Sequence, residues 1–435
     1  MSFESLSRSP FASTVPAQIY WMQNAAIFAS AANLFSTVLA NVGMAVFLVL
    51  FVWTCFSDQK KSLARENFPW VVAAAVGAYV GWQIIGLTYT DVPMATAIKS
   101  IYSERKILYL LPLVLIFSDE YGKLRFLSAF LLVSSVALAL SLALKIPLIQ
   151  TNFRYDAAFV LRSHATQGMV FAMSAFLSGW FALRQRKDRH RYGFYTLAAA
   201  FALNLALVTP GRSGYVVFLV LTVWCFAMRR GFKGVVIGAL VAGGVGGAAF
   251  VLSPSLHERV MSGIVEARNY STDASETSLG RRMVMLDASI EMIRQNPVLG
   301  VGTGGYQKHF SALAANRYTD WRARPFDDPH NQYLFVWTEN GLIGLVTFVY
   351  MIFVIFRRCA QGDVYGQMAA GCVLAWSATS FFSGHFRTFP EGHLIAFVIG
   401  ILMIGRHPVP DKQKFDQRFT GLNMPDPISE NRIRV

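Results

Sequence analysis

The sequence has few charged residues and few cysteines. Only 15% of its 435 residues are charged, whereas soluble globular chains carry about 25%, so the composition argues against a soluble globular protein. The cysteines lie in or beside apolar runs without paired spacing, which argues against a disulfide framework or a zinc site; they are Cys55, Cys225, Cys359 and Cys372. The sequence also has no Walker loop, no HExxH motif, no Gly-x-Ser-x-Gly motif and no internal repeat, so none of the functions these motifs carry is indicated.

Long apolar runs occupy most of the sequence, and hydrophobic residues make up 54% of it. A helix needs roughly 20 mainly apolar residues to cross a bilayer, so the fold class predicted is an all-α polytopic membrane protein. We predict about twelve transmembrane helices, at 20–38, 41–57, 68–88, 105–118, 125–144, 167–184, 193–209, 213–229, 234–252, 331–356, 366–383 and 388–405.

These helices divide the chain into four parts. Residues 1–252 contain the first nine helices, 253–330 a large and partly helical loop, 331–405 the last three helices, and 406–435 a tail. Residues 1–18 lack a basic segment followed by a short apolar core, so no cleavable signal peptide is predicted.

Lysine and arginine predict the orientation of the helices, because they accumulate in short cytoplasmic loops. The loops after even-numbered helices read QKKSLAR, GKLR, RQRKDRHR, RRGFK and FRR, and the tail is also basic. Both termini are therefore predicted to be cytoplasmic. Much of the net charge of +14 lies in these loops, where it faces anionic lipid head groups, so it does not indicate nucleic acid.

Four arginines lie in short outward connections, where the same rule predicts few basic residues: Arg154, Arg162, Arg212 and Arg387. They either pair with outward acids (Asp91, Asp156 and Glu391 are candidates) or bind an anionic ligand. For the set, an anion site is favoured, because guanidinium groups match phosphate oxygens bidentately. Arg212 stands in the tight turn TPGRSG at the membrane boundary, where a charge indicates either function or snorkelling to head groups.

The large outward loop carries a predicted amphipathic helix at 278–296, SLGRRMVMLDASIEMIRQN. Arg281 and Arg282 stand at its start, where the helix N-terminus also favours anions. The next segment, NPVLGVGTGGYQ, contains a literal GxGxxG. No βαβ unit surrounds it, so a glycine-rich turn at the membrane surface is predicted rather than a dinucleotide site.

The stretch DDPHNQYLFVWTENGLIG, residues 327–344, places His330 at the start of the tenth predicted helix. Four interpretations are open: a helix-capping histidine, a metal ligand, a proton relay or a general base. A metal site needs several converging ligands, and the neighbouring aspartates are adjacent residues that project in different directions, so no metal is predicted. Asp328 is a candidate for orienting the imidazole. The Glu339-Asn340-Gly341 segment is interpreted as packing or a helix irregularity.

The string HNQYLFVWTENGLIGL resembles the signature of the O-antigen ligase and polymerase superfamily. LVTPGRSGYVV is similar to the arginine-containing turn of that family, and LGRRMVMLDASIEMIRQNPVLGVGTGGY to its arginine, helix and glycine block. NFRYDAAFVLRSHATQGM occupies the place of an external loop that carries an arginine. The register of these motifs makes Arg282 the matching arginine, with Arg281 its neighbour. In the external loop Ser163-His164-Ala165 departs from the family pattern, so the choice between Arg154 and Arg162 is open, with Arg154 favoured.

The resemblance implies a GT-C-type, inverting glycosyltransferase without a metal or other cofactor, in the bacterial inner membrane with a periplasmic active site. The donor would be a glycan on undecaprenyl pyrophosphate and the acceptor a sugar hydroxyl of the lipid A core. His330 would be the general base, and the arginines would bind the pyrophosphate: Arg212, Arg282, Arg154, Arg281 and Arg162. Membrane lipid is the expected surrounding partner.

Three other functions remain open. Within the superfamily they are an O-antigen polymerase and a protein O-oligosaccharyltransferase. From a different class, a twelve-span secondary transporter fits the hydropathy. The charges cluster at one face and the halves show no two-fold similarity, and both features disfavour a transporter.

Overall fold

The computed structural model describes residues 15–57, 63, 68–144, 160–208, 212–252, 254–270 and 276–403. Within these ranges the regular elements are helices, and no strand occurs. Arg154 and the tail at 406–435 lie outside the described residues. The α-helices are α1 (Ala17–Asn33), α2 (Thr37–Phe56), α3 (Trp70–Ile85), α4 (Met94–Glu104), α5 (Leu110–Ile116), α6 (Glu120–Ala143), α7 (His164–Arg184), α8 (Asp188–Leu207), α9 (Arg212–Leu252), α10 (Pro254–Asn269), α11 (Ser278–Gln295), α12 (Tyr306–Arg317), α13 (Gln332–Ala360), α14 (Val364–Thr379) and α15 (Phe389–Leu402).

The predicted all-helical class is confirmed for the described residues, and each predicted apolar run contains helix. Length and composition suffice for a membrane crossing in six helical segments, which are Thr37–Phe56, Trp70–Thr88, Glu120–Ala143, His164–Arg184, Ser213–Ala248 and Gln332–Ala360. These segments are consistent with a polytopic membrane protein. The number of twelve crossings stays a prediction.

The fourth predicted span differs from expectation. Residues 105–118 do not form one straight helix: Arg105–Tyr109 is a 3₁₀ helix, and α5 follows with only seven residues. Pro112 lies in the first turn of α5. A proline lacks the N–H that a helix interior needs but is tolerated in a first turn, so a helix that begins at Leu110 accommodates it.

Helix α9 joins two predicted spans, 213–229 and 234–252, through a break at Gly231. Gly231 has φ 55° and ψ −136°, far from helical values. Beyond it the chain folds back: a Cβ placed on Gly238 would lie 2.8 Å from Cα of Val223. The two predicted spans are therefore two closely packed helices.

Helix α15 forms the centre of the bundle. Every residue from Glu391 to Leu402 is buried, and the helix contacts α14, α5, α1 and α6. A helix that is apolar on all sides is stable only inside a protein or a bilayer. By contrast, α2 and α9 expose large apolar side chains such as Phe56 and Leu240, as lipid-facing helices do.

A second break, at Gly341 inside α13, receives the glycine-rich turn. Gly341 has φ 66° and ψ −171°. The backbone N–H groups of Val301 and Gly302 donate to the carbonyls of Thr338 and Glu339 at 2.9 Å, and the Leu342 N–H donates back to Pro297 at 2.9 Å. The turn thus replaces hydrogen bonds that the broken helix cannot make. Both sequence interpretations, the helix irregularity and the glycine-rich turn, are confirmed.

The break generates a stability prediction. In the variant Gly341→Ala, the added Cβ would lie 2.0 Å from the Val298 carbonyl oxygen, and the backbone conformation is nearly exclusive to glycine, at a strain of about 1–3 kcal/mol. We expect a clearly lower thermal unfolding midpoint in detergent. Gly77→Ala is the matched control, since nothing lies within 4 Å of its Cβ position. An unchanged midpoint for Gly341→Ala would contradict the described break.

Candidate functional site

His330 stands immediately before α13, in the left-handed backbone region with φ 49°. Its N–H donates to Asp328 Oδ1 at 2.7 Å, and its Nδ1 lies 3.3 Å from the same oxygen. The imidazole side chain is 51% exposed. Asn331 caps the helix, because its side-chain Oδ1 accepts hydrogen bonds from the N–H groups of Tyr333 and Leu334. Asp328 therefore holds both the backbone and the ring of His330, and the ring's Nε2 faces away from this carboxylate.

The loop between α14 and α15, residues 380–388, is bound to the start of α13. Gln332 makes two of the contacts: its N–H donates to the Ser380 carbonyl at 2.8 Å, and its Oε1 accepts from the Phe386 N–H at 3.3 Å. Gly384 lies beside the Asp328 carboxylate, with its Cβ position 3.6 Å from Oδ1. We call residues 380–388 the bridging loop, because it connects α14 to α15 and binds the start of α13.

Arg387 extends from the bridging loop over the first turn of α13. Its guanidinium carbon lies 4.4 Å from the centre of the Phe335 ring. That ring is buried and also packs near Tyr306, at 6.0 Å between centroids. Burial raises the pKa of Tyr306, and the charges of Asp328, Arg387 and Asp327 also act on it. These side chains therefore share one electrostatic environment next to His330.

Lys106 fixes the backbone of the bridging loop. Its ammonium donates to the carbonyls of Phe386 at 2.6 Å, Arg387 at 3.0 Å and Thr388 at 2.8 Å. An ammonium has three donors, so all of them are used. Lys106 is 2% exposed, and these hydrogen bonds compensate for the burial of its charge.

Arg162 stands just before α7 and contacts the start of α15. Its guanidinium carbon lies 5.2 Å from the Phe389 ring centre. Its Nη1 is buried and finds no hydrogen-bond partner in the described ranges. Its neighbours Ser163 and Thr166 donate to Glu391 Oε1, at 3.3 Å and 2.6 Å. The structure thus brings Arg162, Asp328 and His330 to one end of the bundle.

The other predicted arginines are placed as follows. Arg281 is exposed, with its Nε 3.5 Å from Glu276. Arg282 is half-buried and lies on the helix face that also carries the buried Met285 and Ser289. Arg212 begins α9, but its side chain is outside the description. The roles assigned to these arginines therefore stay predictions.

Several residues of this site were not predicted as such. Arg387 was predicted only as one of four outward arginines for which an anion site was favoured, and that excess of positive charge was a usable signal. Tyr306, Lys106 and His385 gave no local signal, since their contacts join segments far apart in the chain. Among the described residues, no group of three His, Cys, Asp or Glu side chains is close enough to hold a metal ion.

Comparison with known proteins matches residues 197–349 to the family model described as O-Antigen ligase. The resemblance to the O-antigen ligase family is confirmed. A protein of Salmonella typhimurium named O-antigen ligase is 24% identical over 203 residues, covering 46% of this chain and 48% of that protein. An uncharacterized protein of Haemophilus influenzae is 22% identical over 269 residues, covering 59% and 65%. The chain thus spans about half to two thirds of the length of these relatives.

The residues matched to the O-antigen ligase family model include Arg212, His330 and the break at Gly341 in α13. Arg162 and the bridging loop lie outside the matched residues. Together, the match and the apolar helices indicate a multi-pass membrane protein.

The bridging loop generates a pH prediction. His385 is fully buried with both ring nitrogens unpartnered among the described atoms. Burial lowers the pKa of its imidazole to about 4, and the Glu391 charge offsets part of this. The unfolded chain binds the proton more readily, so His385 lowers stability as pH falls below about 6.5, by about 2 kcal/mol at pH 5.

We therefore expect the thermal midpoint in detergent to fall from pH 7 to pH 5, and to fall less in His385→Leu. His190→Gln, a change outside the bundle core, serves as control and should keep the unaltered dependence. Equal slopes for His385→Leu and the unaltered protein would contradict the buried neutral imidazole.

Proposed function

We propose that this protein acts as an O-antigen ligase at the periplasmic face of the bacterial inner membrane. It would transfer a glycan from undecaprenyl pyrophosphate to a sugar hydroxyl of the lipid A core. The observation that carries the proposal is the exposed His330 ring beside Asp328, at the end of the bundle where Arg162 and Arg387 also lie. The family match of residues 197–349 supports it.

In this reaction, the acceptor oxygen bonds to the anomeric carbon of the donor glycan as the bond from that carbon to the phosphate oxygen breaks. The configuration inverts, and the electron pair leaves with the lipid pyrophosphate. The hydroxyl proton passes to His330. Since Nδ1 faces Asp328 at 3.3 Å, Nε2 is the nitrogen available for the proton, and the Asp328 carboxylate stabilises the imidazolium that forms.

Arginines would supply the charge stabilisation that a divalent cation provides in other glycosyltransferases. The leaving pyrophosphate gains negative charge as the bond breaks, and preorganised cations stabilise that charge most strongly where water is excluded. Arg212, Arg282, Arg154, Arg281 and Arg162 are the proposed binding residues. Of the two neighbours on α11, Arg282 is favoured, because the register of the family motif makes it the matching arginine.

The alternatives differ in the acceptor or in the chemistry. A polymerase would use a second lipid-linked glycan as acceptor, a protein O-oligosaccharyltransferase would use a serine or threonine, and a transporter would transfer nothing. The predicted orientation in the membrane also supports the ligase. The site lies at the end of the bundle opposite the Lys/Arg-rich short loops, which are predicted to be cytoplasmic. Lipid-linked glycan and lipid A core would meet at that end, in the outer leaflet.

Reconstitution of the purified protein tests the function. We expect it to join an undecaprenyl-pyrophosphate-linked glycan to rough lipopolysaccharide, detected as a mobility shift on a gel. A parallel reaction with donor alone should not lengthen the glycan. Elongation of donor alone would indicate a polymerase, and no transfer in either reaction would contradict the glycosyltransferase proposal.

The base assignment is tested by His330→Asn. Asparagine tolerates the left-handed backbone at this position but cannot accept the proton, so we expect transfer to fall by about 10²–10⁴-fold with an unchanged thermal midpoint. His309→Asn is the matched control, because His309 is a histidine of the same outward domain and contacts Asp91 instead. Activity of His330→Asn near that of the control would show that His330 is not the base.

A further inference from the structure

Arg387 stands out because its guanidinium has no hydrogen-bond or ion-pair partner among the described residues, although it lies over a buried ring. Its backbone N–H donates to Gly384, and its carbonyl accepts from Lys106. A half-buried arginine normally satisfies its five donors. The donors of Arg387 are therefore available to a ligand.

The carboxylates of the surrounding segments already accept hydrogen bonds from other groups. Glu339 accepts hydrogen bonds from two backbone N–H groups of the glycine-rich turn and from Ser100. Glu391 accepts from Ser163 and Thr166. Asp328 accepts from the backbone of His330. No acid in the described part of the chain forms an ion pair with Arg387, although its charge acts on the buried Glu339 from beyond ion-pair distance.

The position of Arg387 is fixed by the protein itself. Lys106 binds the carbonyls of residues 386, 387 and 388, and Gln332 binds the N–H of Phe386. Phe335 supports the guanidinium from below as a cation–π partner. An arginine held in this way loses little conformational entropy when it binds a ligand, which is the property of a binding residue.

The same contacts place Arg387 next to His330. Phe335 lies one helical turn from Asn331, to whose carbonyl its N–H donates at 2.9 Å. Gly384, three residues before Arg387, contacts the Asp328 carboxylate that holds the His330 ring. The guanidinium therefore lies at the same end of α13 as His330 and reaches that end from the bridging loop.

We propose that Arg387 binds an oxyanion of the donor's diphosphate, as a phosphate-binding residue beyond those predicted from the sequence. This inference rests on the proposed function. A guanidinium donates two parallel hydrogen bonds to phosphate oxygens, and the apolar Phe335 ring beneath it strengthens the attraction by excluding water. With His330 at the acceptor hydroxyl, Arg387 lies where the negative charge of the leaving group develops.

The test is binding of inorganic pyrophosphate to the full chain in detergent, measured by calorimetry at low ionic strength. Arg387→Lys keeps the positive charge over Phe335 but loses the fork, so we expect about tenfold weaker binding or more. The control Arg324→Lys alters an exposed arginine bound to Glu276 and should bind as the unaltered protein does. Thermal midpoints of all variants are measured alongside, and Arg387→Gln replaces Arg387→Lys if the latter does not fold.

The outcomes separate this inference from the proposed function. Equal pyrophosphate affinity for Arg387→Lys and the unaltered protein overturns the assignment of Arg387 alone, since a diphosphate site would still exist. A protein that binds no pyrophosphate without any substitution overturns the assignment and also contradicts the proposed donor. Equally weaker binding in Arg324→Lys and Arg387→Lys would show that the loss does not depend on the position of the arginine, and it would also overturn the specific role of Arg387.

Discussion

A carboxylate buried inside α13 holds the large loop, which contains α11 and α12, against the helix bundle. Glu339 is 2% exposed, and it accepts hydrogen bonds from the N–H groups of Gly304 at 2.9 Å and Tyr306 at 3.3 Å, and from Ser100 at 3.1 Å. A buried carboxylate is costly unless such partners are present. The glycine-rich turn must therefore dock for α13 to keep its break, and docking places Tyr306 on Phe335, beside the reacting end of the helix.

Helix α4 supports the site from the other side through two of its residues. Ser100 reaches Glu339, while Glu104 accepts a hydrogen bond from Gln332 at 3.0 Å and one from Tyr79 at 2.6 Å. Gln332 in turn binds Phe386 in the bridging loop. One short helix thus links the break in α13, the start of α13 and the loop that carries Arg387. The chain of buried polar contacts is satisfied at each step, as a rigid site requires.

The sequence predicts the helices of this protein because each apolar run is a local pattern, and it predicts the pairing of Asp328 with His330 because only one residue separates them. The break at Gly341 was also foreseeable, since a glycine follows two polar residues inside an apolar helix. The roles of Lys106 and Gln332 were not. Their partners lie 280 and 228 residues away, and no spacing in a single sequence records such contacts. The fourth predicted span is helical in two short segments rather than in one helix, because Pro112 restricts where the α-helix can begin, and its crossing of the membrane stays a prediction.

The basic residues outside the predicted cytoplasmic loops differ in what their N–H groups bind. In the large loop, Arg281 and Arg324 share Glu276, Arg322 binds Asp320, and Lys308 binds Asp91. Structural pairing, the simpler of the two explanations, accounts for these. Lys106 is buried and charged, yet its three donors are spent on carbonyls, so it positions the bridging loop and has none left for a ligand. Arg162 and Arg387 differ from all of them, because each rests on an aromatic ring and neither has an acidic partner in the described ranges. Charge alone therefore does not mark the proposed anion site; the proposal is supported instead by the side-chain donors of Arg162 and Arg387 that lack an acidic partner in the described ranges.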